Sequence, residues 1–345
     1  MEVITIKKLK LYKSNYLKKI KSKKKKQNSI LKKIITIFMF LIALFFILDK
    51  RNKRKSISIN NIKIFKNKTN TKIAMCVITK TENRYIKYFL KHYNKLGYDH
   101  IYLYDNNDIK DEPIESLSIS KDYIKTGFLT IIEFRNKTGN FQADSYHECY
   151  KKYNSQYDWL SFYDMDEYLI LEQKNLSIQE FLDNPRFNNC ESVQFNWKVF
   201  TDNELLDFED ISPIERFRIE TAYSYERRHV KSIIRGGLDL NKIQENGSPH
   251  TVYSNVKACT SSGKQTQNDY YYLPPDLEYG ALNHYVTKTI NEYFFKRYKT
   301  KSERDNVDNQ DMRLKKYWFD YFFKINKKTK EKVDIYNKLF HTNYQ

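Results

Sequence analysis

The run IAMCVIT (residues 73–79) meets no polar side chain until its last position. A strand of this kind is buried on both faces, and a sheet covered by helices on each side is the setting that accommodates it. The residues that follow supply the cover. In ENRYIKYFLKHYNKLG (82–97), Ile86, Phe89, Leu90, Tyr93 and Leu96 recur at helical spacing, and Gly97 is a natural helix cap. HIYLYD (100–105), FLTIIEF (128–134) and DWLSFYD (158–164) read as further strands. A helix over 141–154 turns Ala143, Tyr146, Cys149 and Tyr150 inward. The order strand, helix, strand, strand, helix, strand predicts an α/β fold with a mostly parallel sheet flanked by helices. Beyond residue 190, segments 192–200 and 232–238 read as strands and 288–343 as two or three helices.

Sheets of this class bind ligands beyond the C-terminal ends of their strands. Polar residues gather at three of those ends: Thr79-Lys80-Thr81-Glu82, Asp105-Asn106-Asn107 and Asp164-Met165-Asp166. Extended backbone would place Asp164 and Asp166 on one side, with Met165 and Glu167 opposite. Two carboxylates so close repel unless a cation lies between them. Hard ions such as Mn²⁺ or Mg²⁺ suit oxygen ligands and leave room for substrate phosphates. A solvated turn is the competing reading of the same triplet.

The formal net charge of +19 invites a nucleic-acid partner, but the charge is not spread along the chain. Residues 1–33 hold 13 Lys against Glu2, and residues 49–72 hold nine Lys or Arg against Asp49. These flanks account for the whole excess, so the body from residue 73 is nearly neutral and no nucleic-acid partner is expected. Between them lies IITIFMFLIALFFIL (34–48); with Ile30 and Leu31 it comes close to the ~20 residues that span a bilayer. No small-residue cleavage site follows it, which argues for an anchor over a secretory leader. The heavier Lys content on the N-terminal side places that terminus in the cytosol and the body in the lumen of the Golgi or endoplasmic reticulum. Four sequons, at Asn67, Asn136, Asn175 and Asn246, permit that location.

Of the four cysteines, Cys76 and Cys149 fall in apolar patterns and read as core, while Cys190 and Cys259 are free to pair in an oxidising lumen. None forms a C-x-x-C pair, so a zinc site is not expected.

Five ordered segments resemble glycosyltransferase family 92 and related family-2-like glycosyltransferases: VITKTENRYIKYFLKHYNKLGYDHIYLYDNN (77–107), FQADSYHECYKKYNSQYDWLSFYDMDEYLIL (141–171), FNWKVF (195–200), HVKSIIR (229–235) and NHYVTKTINEYFFKR (283–297). Thr201 stands where that family often has Gly. The resemblance implies a GT-A-like fold and transfer of a sugar, galactose first, from a UDP-sugar donor to a glycan or glycoconjugate acceptor. It also implies inversion at the anomeric carbon and a need for Mn²⁺ (or Mg²⁺). A non-catalytic glycan-binding relative is the alternative.

Carried onto this chain, the resemblance makes Asp166 the direct metal ligand, Asp164 its partner toward the donor ribose or metal-bound water, and His284 the third ligand. Thr79, Lys80 and Glu82 stand where such folds hold the nucleoside. Asp105 and Asn107 meet the base or ribose, unless they simply form a turn. Gln142 touches the donor, Lys231 and Arg235 offset the diphosphate, and Trp197 stacks on the acceptor. Glu215 and Asp239 are the candidate bases, although Ser212-Pro213-Ile214-Glu215 is equally a helix capping box. The expected organisation is a basic arm (1–29), a membrane anchor (30–48), a polar stem (49–72), the catalytic domain (73–300) and a C-terminal helical extension (301–345).

Overall fold

The computed structural model describes residues 70–135, 137, 140–299 and 312–341. The basic arm, the anchor and all but the end of the stem therefore lie outside the described residues, as do Asn67 and Asn136. Among the described residues no helix is long and apolar enough to cross a membrane.

The first half keeps the predicted order and adds one helix that was not anticipated, between the second and third strands. Strands β1 (Ile73–Thr79), β2 (His100–Asp105), β3 (Leu129–Glu133) and β4 (Trp159–Phe162) pair in parallel in the spatial order β3-β2-β1-β4. Helix α1 (Ile86–Leu96) buries Ile86, Phe89, Leu90 and Tyr93 and ends on Gly97 at φ +98°, a conformation that a side chain would strain. Helix α2 (Ser118–Lys125) precedes β3, and α3 (Phe141–Tyr153) precedes β4 with Ala143, Tyr146, Cys149 and Tyr150 buried. As the apolar run demanded, β1 feeds two cores. Ile73, Met75 and Val77 pack with α1 on one face; Ala74 and Cys76 pack with α3 on the other.

Strand β5 (Glu167–Leu171) was not anticipated. It starts directly after the acidic triplet and joins the sheet only through a later strand, off the main path. After the short helix α4 (Ile178–Leu182), β6 (Ser192–Val199) and β7 (Val230–Arg235) complete the centre, β7 running antiparallel to both β6 and β4. Helix α5 (Pro213–Arg216) is a single turn in the connection between them. Gly236 then lets the chain pass so close to the backbone of Tyr157 and Asn154 that a Cβ would collide with both carbonyls. The pair β8 (Gln244–Glu245) and β9 (Tyr253–Ser254) stands apart, and β10 (Ala258–Thr260) and β11 (Gln265–Thr266) extend the edge beyond β6. Strand β12 (Gly280–His284) lies between β5, antiparallel, and β6, parallel. The C-terminal region folds as helices α6 (Ile290–Lys299), α7 (Met312–Ile325) and α8 (Lys330–His341). They are tied to the segment after β6 by the buried Asp202–Lys332 pair at 2.5 Å and by the Asp202 N–H donating to Asn326 Oδ1.

All four cysteines are paired: Cys76 with Cys149, and Cys190 with Cys259. The second pairing is the one the sequence left open. The first was not anticipated: both residues are buried, as core positions should be, and β1 and α3 meet closely enough for the two sulfurs to bond. These crosslinks close loops of 73 and 69 residues. Titration of the denatured, unreduced chain should find no free thiol, and one or more reactive thiols would contradict the pairing. Replacing Cys76 and Cys149 together by Ser should lower unfolding stability by about 2–4 kcal/mol in a denaturant titration.

Candidate active site

The order β3-β2-β1-β4 makes the gap between β1 and β4 a topological switch point, where strand connections leave in opposite directions and open a crevice. The ends of both strands are acidic. From β4, Asp164, Met165 and Asp166 do not continue as a strand. They form a turn closed by the Glu167 N–H donating to Asp164 O at 3.0 Å. The expected side-to-side alternation therefore does not operate here. Glu167, expected on the far side, folds back, and its Oε2 accepts the Asp164 N–H at 2.9 Å. It is fully buried, and burial holds its carboxyl well above the usual range.

Asp164 and Asp166 are gathered at one place but face different cations. Asp164 Oδ1 accepts from Lys231 Nζ at 3.0 Å, from Tyr146 Oη at 3.1 Å and from Gln142 Nε2. Asp166 Oδ2 lies 3.2 Å from Lys296 Nζ and 3.8 Å from Lys288 Nζ, and its Oδ1 lies 3.5 Å from His284 Nε2. Glu82, at the exit of β1, binds the same two lysines, at 2.6 Å to Lys296 and 3.0 Å to Lys288. Burial pushes both aspartate carboxyls up, but the lysines outweigh it. Lys231 leaves Asp164 below its ordinary range, and Lys296 with Lys288 leaves Asp166 well below. Both acids are thus ionised at neutral pH.

Two residues here hold backbone conformations that side chains disfavour: Thr81 at φ +59°, beside Glu82, and Lys288 at φ +47°. A β-branched residue in that region costs energy, and strain of this kind concentrates at functional sites. The Thr81 N–H is held by Asn107 Oδ1 at 2.8 Å, so the ends of β1 and β2 are latched together.

His284 reaches the acids because β12 sets it opposite Glu167 on one side and Val199 on the other. Its ring lies 4.2 Å from that of Trp197, which also stacks on His229 at 4.7 Å and meets His250 at 5.2 Å. Carboxylate oxygens and an imidazole nitrogen are donors that a hard divalent ion accepts, so Asp164, Asp166 and His284 fit Mn²⁺ or Mg²⁺ in kind. Among the described residues no group of three or more His, Cys, Asp or Glu side chains is already drawn together at metal-holding spacing. The lysines occupy the oxygens instead.

Other expected residues have different duties. The Asp105 carboxylate takes the N–H groups of Asn107 and Ile114, each at 3.0 Å, and pairs with Arg135 at 2.7 Å. It organises the loop after β2. Asn107 bridges Thr81 and Asn83. Lys80 reaches Asp108 at 2.8 Å, and Thr79 Oγ1 is buried without a hydrogen-bond partner among the described residues. Arg235 is four positions along β7 from Lys231, about 13 Å of strand. It sits over Trp159 at the opposite end of β4 and donates to Cys190 O and Phe187 O. The structure therefore does not bring Arg235 to the acids with Lys231.

Neither expected base is brought to the acids. Glu215 is exposed on α5, and the capping-box side-chain bond does not form. Asp239 is exposed in a turn beside Lys242. A third carboxylate, Glu226 in the turn before β7, is buried with Oε2 3.3 Å from His229 Nδ1. Burial raises its carboxyl, against the pull of His284 and Lys324. Sequence reasoning missed Glu226, Lys288 and Lys296. Both lysines lie inside the NHYVTKTINEYFFKR segment, and Lys296 was available as a charge among the aromatic residues of α6, whereas Lys288 precedes that helix. Glu226 carries no such signal.

The model of glycosyltransferase family 92 matches residues 71–334. Among solved structures the chain is similar to residues 1–349 of S. aureus TarS, at 13% identity and a TM-score of 0.32, covering 79% of this chain and 74% of that one. The same TarS fragment in complex with UDP is similar at 11% identity and a TM-score of 0.35, with the same coverage. No curated protein matches.

Burial holds the His229 imidazole down at about 4, and burial together with the Lys231 charge holds His250 at about 3. An ordinary imidazole charges near 6.5. Both rings should therefore stay neutral as pH falls from 8 to 5.5, read from histidine ring signals by NMR. A midpoint above 6 on either ring would contradict this arrangement.

Proposed function

The chain belongs to glycosyltransferase family 92, and from that premise we propose that it moves a sugar, galactose first, from a UDP-sugar donor to a glycan acceptor with inversion. We read the fold as GT-A-like. The observation that carries the reading is the meeting of two ionised aspartates with three lysines at the switch point between β1 and β4. A nucleoside diphosphate suits such a place, because its negative oxygens take over ammonium groups already held in position.

In this reading the diphosphate lies against Lys231, Lys288 and Lys296, and the nucleoside lies toward Thr79 and Lys80. Gln142 fixes Asp164. Asp164, Asp166 and His284 would hold a Mn²⁺, whose Lewis acidity supplies neutralisation of the departing diphosphate. The acceptor hydroxyl oxygen attacks the anomeric carbon as the bond from that carbon to the β-phosphate oxygen breaks. The bonding pair leaves on UDP, and the hydroxyl proton passes to Glu226. One displacement of this kind inverts the anomeric centre. Glu226 takes the part expected of Glu215 or Asp239 because it alone of the three is buried beside the Trp197–His284 stack. The two disulfides suit an oxidising compartment, in keeping with a lumenal body anchored by residues 30–48.

The test is a screen of UDP- and GDP-sugars for Mn²⁺-dependent hydrolysis by the full-length chain. Asp166→Ala should lower turnover by about 100-fold or more and weaken Mn²⁺ binding measured by water-proton relaxation. Unchanged hydrolysis in that variant would remove Asp166 from the site. Thermal stabilisation by a donor without turnover would favour the non-catalytic glycan-binding reading. Glu226→Gln should lower kcat for transfer by about 10²- to 10⁴-fold with the donor KM held, and an unaltered kcat would exclude it as the base.

A further inference from the structure

Three exposed tyrosines crowd the surface beside this site: Tyr225, Tyr270 and Tyr271 are 49%, 42% and 39% exposed. Single exposed apolar residues are ordinary, but rings gathered in one place mark a binding surface. These rings are held in position. The Arg228 guanidinium lies 3.4 Å over the ring of Tyr225 and 3.9 Å over that of Tyr271. The tyrosine segment is pinned to the start of β7 by the Val230 N–H donating to Tyr270 O at 3.2 Å and the Tyr272 N–H donating to Arg228 O at 2.8 Å. The ledge is therefore fixed to the same strand that carries Lys231.

It is also continuous with the reacting end. The ring of Tyr271 meets His229 at 4.8 Å, His229 stacks on Trp197 at 4.7 Å, and Trp197 meets His284 at 4.2 Å. Along this line Trp197 Nε1 is buried without a hydrogen-bond partner among the described residues. A ligand lying on the ledge meets exposed tyrosine rings, with the Arg228 guanidinium packed on two of them.

We propose that the ledge of Tyr225, Tyr270, Tyr271 and Arg228 is the acceptor subsite and that it takes a pyranose ring of a glycan. This rests on the family reading above. A pyranose has one face of C–H bonds, which lies on an aromatic ring, and an edge of hydroxyls, which takes bonds from a guanidinium. A ledge already fixed by cation–π contacts loses little freedom when a sugar settles on it. Three rings are too small an area for a stable protein interface, which needs about 1,000 Å². The run from Tyr271 to His284 leads the acceptor toward Glu226 and the donor.

The experiment uses lactose, cellobiose and N-acetyllactosamine at millimolar concentration with the full-length chain and no donor, read by saturation-transfer NMR. At least one disaccharide should bind, with transfer concentrated on the C–H protons of one ring face. The double variant Tyr225→Ala, Tyr271→Ala should weaken that binding by about tenfold or more. The matching Phe variants, which keep the rings, should stay close to the parent chain. So should Tyr317→Ala, which removes an equally exposed tyrosine elsewhere. The proposal falls if no disaccharide binds, if the Ala variant binds as well as the parent, or if that variant instead changes the elution volume, which would mark the ledge as a protein contact. Because no donor is present, the result is independent of the UDP-sugar screen. Saccharide binding without donor turnover would sink the transfer reading and keep the ledge, and turnover without saccharide binding would do the reverse.

Discussion

The site depends on an ionic lattice mostly withdrawn from water: Lys231, Lys288 and Lys296 against Asp164, Asp166 and Glu82. Taking such groups out of water is expensive, and leaving one without its partner costs about 3–5 kcal/mol. The six members come from five places: the exit of β1, the turn after β4 with both aspartates, the start of β7, the segment after β12, and α6. The fold must bring all five to one point before any of these charges is satisfied. That requirement explains why β12 is drawn between β5 and β6, and why Lys288 tolerates a left-handed backbone to reach Glu82.

Much of this was legible in the chain. Ile73–Thr79 and His100–Asp105 are strands at the residues where the apolar patterns begin and end, and α1 buries the face its spacing declared. These are local signals. They succeed because a doubly buried strand and an amphipathic helix leave few alternatives. The candidate pair at Asp164 and Asp166 was also legible, but for a partly mistaken reason. A turn, not strand alternation, gathers the two carboxylates, and Glu167 is tucked beneath them. Nothing in a run of six residues reports whether the chain bends at its third acid.

The misses share a physical cause: each depends on what lies across the sheet. Arg235 has the same side-chain parity as Lys231, yet β7 runs antiparallel to β4 and carries it to the far end. Glu215 satisfies a capping pattern on paper, but its helix is one turn on the surface. Cys76 and Cys149 are apolar in context and bonded in fact, because the α3 packing that buries them also makes them neighbours. Lys296 is a charge on a helix of Tyr and Phe, and only the tertiary pairing with Glu82 and Asp166 explains why it is tolerated.

The placement of β12 has a consequence for how the chain is born. Asp164 and Asp166 are made early, with Glu82 already behind them, whereas Lys288 and Lys296 emerge more than a hundred residues later. A ribosome that has released β1 through β6 has produced a cluster of acids with none of its cations. Those acids stay in water until the last third of the polypeptide arrives, since burying them unpaired would cost more than the half-built core returns. The acidic turn is therefore without these two cations until the final third of the chain arrives, and a chain ending before Lys288 lacks two of the three lysines that meet it.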